Sequence, residues 1–158
     1  MSKRGPRNPV ISTSGYVTSI SRCALALGLI VLGIAWIVVY YAVERHAALG
    51  ILDSHGKKAS DPIPFMADLK RWNYLIGFLL IFAGMIVAAD KKTPLGRGQG
   101  VVVGMLFSFL FGLAWVVTYY FLGDNLYKVW VMDDLNQLNL LVGVGFMAVG
   151  FSYATKWE

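Results

Sequence analysis

Four long apolar runs alternate with short polar connections along the chain. Cys23 to Val43 holds 21 residues without a charge, Trp72 to Ala89 holds 18, Val101 to Leu122 holds 22 and Leu138 to Thr155 holds 18. A helix rises about 1.5 Å per residue, so each run reaches roughly 27–33 Å, close to a hydrocarbon core of about 30 Å. In lipid a backbone must satisfy its own hydrogen bonds, which makes helices of these runs. The pattern predicts an all-α integral membrane protein with four transmembrane helices. The connections leave no room for a soluble domain.

The runs are not independent of one another. "GIAWIVVYY", Gly33 to Tyr41, returns as "GLAWVVTYY", Gly112 to Tyr120, with six of nine positions identical at an offset of 79. Met66 to Ala89 aligns with Met132 to Thr155 at an offset of 66, sharing Asp68 and Asp134, Asn73 and Asn139, Gly77 and Gly143, and Gly84 and Gly150. The offsets differ by 13 because the first outer loop is longer by that amount. The chain therefore reads as a tandem duplication of a two-helix hairpin. Residues 1–22 form a basic tail, 23–89 the first unit, 90–100 a linker and 101–158 the second unit. A unit with two spans enters and leaves on one side, so the copies are parallel repeats rather than inverted ones.

Small residues recur at helical spacing. Gly77, Gly84 and Ala88 fall within roughly 20° of one line on a helix, and Gly143, Gly150 and Ala154 repeat the stripe. The third run carries Gly104, Ser108 and Gly112 on one face. Helices in lipid associate through close van der Waals packing, which small residues permit. Gly33, Trp36 and Tyr40 share a face of the first span, as Gly112, Trp115 and Tyr119 do on the third. These positions, with Trp72, Asn73 and Asn139, are the expected helix-packing or partner-contact residues.

The composition is 57% hydrophobic and only 15% charged, against roughly 25% charged in an ordinary soluble domain. A cleaved signal peptide is a poor reading of the first span, because a signal h-region has about 7–15 residues. A pI of 9.4 could point to nucleic acid, but the placement of the basic residues points to the membrane instead. The tail, the linker and the carboxyl end hold eight basic and two acidic residues; the loops 44–71 and 123–137 hold six and seven. The excess of Lys and Arg predicts both termini and the linker in the cytoplasm. Lys70 and Arg71, beside the second span, oppose that orientation. Tyr40, Tyr41, Trp72, Tyr74, Tyr119 and Tyr120 all fall at the opposite ends of their spans, where an aromatic belt is expected.

The order Gly-ϕ-Ala-Trp-ϕ-Val-x-Tyr (ϕ, apolar), then an outer loop, then Trp72-Asn73 followed by spaced glycines, resembles the CrgA family of actinobacterial cell-division membrane proteins. The end "NLLVGVGFMAVGFSYATKWE", with its late Trp157, is similar too. The resemblance implies a basic cytoplasmic tail, two-span units and a non-enzymatic role in the division machinery. Its implied partners are divisome membrane proteins and FtsZ, with enrichment at the septum. The chain departs from the pattern in having two units, with Leu138 where the second copy would carry tryptophan and Asp90-Lys91-Lys92 where the first would end in one.

Chemistry is sparse. No ionisable residue lies inside a predicted span, which argues against a proton-coupled pathway. His46, His55 and Asp53 share a loop but are too few and too scattered for a metal site. Asp133-Asp134 reads as part of a solvated loop, and "GRGQG", Gly96 to Gly100, as a flexible inner turn. A lone Cys23 forms no internal disulfide. No cofactor, metal or catalytic group is expected, and no nucleic acid; self-association is compatible with the small-residue faces. The competing reading is a small four-helix transporter or channel, and Ser108, Thr118, Ser152, Asn73 and Asn139 would have to line its path.

Overall fold

The computed structural model describes residues 18–52, 55–57, 59–60, 62–129 and 131–156. Lys3, Arg4 and Arg7 of the tail, Asp53 of the first loop, Trp130 and Trp157 lie outside them. Helix α1 spans Ile20–Leu49, α2 Pro64–Leu69, α3 Trp72–Ala88, α4 Gln99–Leu122, α5 Met132–Leu135 and α6 Leu138–Ala154. By length and composition α1 and α4 are long and apolar enough to cross a membrane, while α3 and α6 are apolar helices of 17 residues.

The first helix outruns its predicted end. It was expected to stop at Val43, before the first charge. Instead it continues through Glu44, Arg45 and His46 by way of a wide π-helical turn at Tyr40–Glu44. Partners allow this. Glu44 is fully buried and accepts the Ile63 N–H at 2.8 Å, and Arg45 meets a carboxylate from the other unit. A π turn inserts one extra residue and re-aims the side chains that follow. The helix ends at Gly50, whose φ of +67° is the left-handed conformation that closes helices without a Cβ penalty.

The duplication is visible in the backbone. In both copies a short helix leads through a tight turn into a long one. Lys70 and Asn136, at equivalent positions, both have φ of +49°, with ψ of −129° and −123°. The Asn73 amide donates to the carbonyls of Met66 and Lys70 at 2.7 and 2.8 Å. Asn139 donates to those of Met132 and Asn136 at 2.8 and 2.7 Å. Each asparagine amide thus ties the short helix and its tight turn to the first turn of the long helix.

The helices α1 and α3 pair as one hairpin and α4 and α6 as the other. The hairpins meet through α3 and α6, which leaves α1 and α4 as the outer flanks. The linker is not an open turn. Thr93 donates its hydroxyl to the Ala88 carbonyl and accepts the Gly96 N–H at 3.2 Å, within a single 3₁₀ turn at Pro94–Gly96. Gly96 lies directly on the Asp90 backbone and Gly100 on that of Pro94, with no room for a side chain at either place.

Candidate helix-docking site

Within each hairpin the crossing point is a glycine on a glycine. A Cβ built on Gly33 would lie 2.5 Å from the Gly77 carbonyl oxygen, and one on Gly112 would lie 2.5 Å from that of Gly143. Each pair holds the same place in its copy. Gly84 sits against the backbone of Ala26, while Gly150 receives the ring of Phe109. Gly104 lies under the Tyr153 ring, and buried Ser108 donates its hydroxyl to the Gly104 carbonyl at 2.7 Å. The stripes therefore face neighbouring helices of the same chain. Gly33 and Gly112 are covered by their own hairpins, which leaves the opposite faces of α1 and α4 for any partner.

The two tryptophans of the repeated nonapeptide take different neighbours. Trp36 lies 5.9 Å from Phe65, within its own unit, whereas Trp115 packs edge-on against Phe78 of the first unit at 5.7 Å. Both indole N–H groups are shielded and have no hydrogen-bond partner among the described residues. Phe82 and Phe146 meet at 4.9 Å, edge to face, and Gly145 makes room for Phe82. Phe78 and Phe111 extend the cluster from either side of Phe146. Tyr153 adds a polar tie by donating to the Met85 carbonyl at 3.0 Å.

Where α3 and α6 begin, their contact carries an ion pair that the sequence reading placed in water. Asp134 is not solvated: its side chain is 8% exposed. Arg45 Nε and one terminal guanidinium nitrogen donate to its two oxygens at 2.6 and 3.0 Å, a bidentate pair. Tyr74 donates its hydroxyl to the same carboxylate at 2.6 Å. Only Asp133, 3.6 Å from Arg45, keeps the solvated character expected of both. The aromatic belt needs the same correction. Tyr40 and Tyr74 are buried and meet edge-on at 5.0 Å, because a dehydrated carboxylate requires donors and packing around it. Trp72 and Tyr120 remain exposed, and Tyr119 is half-buried.

Spacing alone could not reveal Arg45, Tyr74 and Asp134 as a group, because they come from three segments. One signal was present: the copies differ there. Tyr74 corresponds to Leu140 and Arg45 to Asp124, while Asp68, the counterpart of Asp134, is exposed. At the linker end Arg22 pairs with Asp90, which also accepts the Lys92 backbone N–H at 2.9 Å. The Lys92 N–H, with help from Arg22, holds the Asp90 carboxyl below its ordinary range against the opposing effect of desolvation. Among the described residues no three His, Cys, Asp or Glu side chains converge on one point.

The family described as "Cell division protein CrgA" matches this chain twice, over residues 4–92 and 88–158. The cell division protein CrgA of Streptomyces avermitilis is 41% identical over 64 residues, which cover 40% of this chain and 71% of that protein. Those of Corynebacterium aurimucosum and Corynebacterium glutamicum are 38% and 37% identical, over 40% and 36% of this chain. The chain spans about half the length of these two Corynebacterium relatives, 53% and 46%. No solved structure matches the chain. With two matches that together run from residue 4 to residue 158, the chain belongs to the CrgA family and carries the family's unit twice in tandem.

Proposed function

We propose that the protein is a non-enzymatic membrane scaffold or regulator of cell division and septum formation. In this reading it crosses the cell membrane four times, keeps both termini in the cytoplasm and concentrates at the septum. The observation that carries it is the double match to a family named for cell division, on a chain whose outer helices keep unpartnered apolar faces. Val31 and Ile34 on α1, and Val103, Leu106 and Leu110 on α4, are all about half exposed or more. Two such faces in one chain would raise the effective concentration of a second partner once the first has bound. The partners that fit are membrane-embedded divisome proteins, with FtsZ on the cytoplasmic side.

What supports four spans is that 17 residues lie within the range of about 17–25 for a crossing helix, and that α3 and α6 pack along the longer α1 and α4. The expected orientation rests on the basic tail and linker. In a Cys23→Ser background, a cysteine at Ser12 is expected to resist impermeant reagent in intact cells. Labelling there would reverse the topology. A functional fluorescent fusion is expected at the septum, with division proteins recovered by cross-linking. Uniform membrane fluorescence through constriction, with no division protein recovered, would favour the transporter reading.

A further inference from the structure

The first hairpin has a groove of about 260 Å³ at its inner end, and its walls are almost wholly apolar. Ala26, Leu27 and Ile30 of α1 form one wall, and Ala88 with Pro94 and Leu95 of the linker turn the other. The turn is held rigidly. Thr93 is buried and bonded to Ala88, and the Ser19 N–H donates to the Lys92 carbonyl at 2.9 Å, tying the linker to the start of α1. Cys23 and Thr93 also line the groove, and the residues beside them in sequence are Arg22 and Lys92.

Charge gathers at this end. Lys91 and Lys92 are exposed, and Arg22 stays 44% exposed although it pairs with Asp90. Lys156 of the second unit is close enough to act on Asp90 as well. Arg22 and Lys156 thus act on the Asp90 carboxylate, and the exposed Lys91 and Lys92 follow it directly in sequence. The equivalent place in the second unit is built differently. Met105 and Phe109 stand where the first unit has Ala26 and Ile30, and Phe109 lies on Gly150 and against Phe151 at 4.8 Å.

We propose that this groove binds one anionic phospholipid, its acyl chain between Ala26, Ile30 and the Pro94–Leu95 turn and its phosphate at Lys92. An apolar channel that opens towards lipid with a cationic rim at the headgroup level complements both halves of such a molecule. A zwitterionic lipid would satisfy only the channel. A basic residue close to a membrane surface favours anionic lipid by a factor of about five.

The proposal rests on α1 crossing the bilayer, as in the four-span reading. The full chain, purified in detergent with equimolar phosphatidylglycerol and phosphatidylcholine of identical acyl chains, is examined by native mass spectrometry. One retained phosphatidylglycerol per chain is expected, at least about fivefold over phosphatidylcholine. Lys92→Glu is expected to remove the preference, and Leu27→Trp, which fills the groove, to remove the retained lipid. Equal retention of the two lipids by the unsubstituted chain, or a preference that survives either substitution, overturns the proposal. Neither result bears on septal localisation or on cysteine accessibility, so the two readings fail separately.

Discussion

A single carbon decides how closely the two helices of a hairpin approach. At Gly33 any Cβ meets the Gly77 carbonyl, a backbone atom that cannot rotate away. Gly33→Ala is therefore expected to separate α1 from α3 and to lower stability by about 1–3 kcal/mol, the usual cost of overpacking. Gly28, on the same helix, has nothing within 4 Å. Gly28→Ala should leave stability unchanged or slightly raised, and denaturant titration of the two variants distinguishes contact from helix propensity. Asp134 is decisive in another way. Asp134→Asn would put a neutral amide in place of the bidentate partner of the Arg45 guanidinium, only 19% exposed, and leave it the exposed Asp133 at 3.6 Å as its remaining carboxylate. A loss of about 2–4 kcal/mol is expected, since removing one partner of a buried pair leaves a dehydrated charge. Asp68→Asn, at the exposed equivalent position of the first copy, is expected to change nothing measurable in the same titration.

The turns between short and long helices carry their own strain. Lys70 and Asn136 hold a backbone conformation that residues with a Cβ rarely adopt. Lys70→Gly is expected to stabilise the first unit by up to about 1 kcal/mol, through relief of that strain less the added chain entropy. An unchanged or lower melting temperature would show that the asparagine clamp alone sets the turn. The linker is expected to respond to pH. Because the Asp90 carboxyl lies below its ordinary value of 3.8, its contribution is complete above that value and is lost as pH falls through the depressed one. Protection of the Ser19 N–H, bonded to Lys92, against hydrogen exchange is expected to fall, relative to the intrinsic rate at each pH, only below about pH 4. Asp90→Asn should make that exchange fast at neutral pH.

At the scale of the molecule, the two units are alike within themselves and unlike where they meet. The Phe82–Phe146 contact, the Tyr153 bond to Met85 and the Arg45–Asp134 pair join the hairpins at the middle, the inner end and the outer end of α3 and α6. Phe146→Ala is expected to loosen this interface at a cost at or below the ~3–5 kcal/mol of soluble cores, since lipid tails replace part of the lost contact. Spin labels on the outer faces of α1 and α4 should then show a broadened distance distribution. Labels across α1 and α3 should not, because that crossing does not involve Phe146.

The helical class, the apolar segments, the duplication and the glycine stripes were legible in the chain itself. Each depends on periodicity or on self-similarity, and both are properties of linear order. Gly33 and Gly77 could be singled out because both recur with their surroundings at a constant offset. The end of α1 and the burial of Asp134 were not legible. A charge next to an apolar run signals solvent unless a partner waits, and the partners here come from the far side of a duplicated chain, 89 residues apart for Arg45 and Asp134. Which of two equivalent aspartates is dehydrated, and which of two equivalent tryptophans reaches the other unit, depends on how the hairpins dock. The units share a sequence pattern, but each contributes a different part of itself to the α3–α6 interface. The sequence marks where the copies differ, at Tyr74 and Leu140 and at Arg45 and Asp124, but only the tertiary structure shows which side is buried, because burial is set by what lies across the interface and not by the residue's own neighbours in sequence.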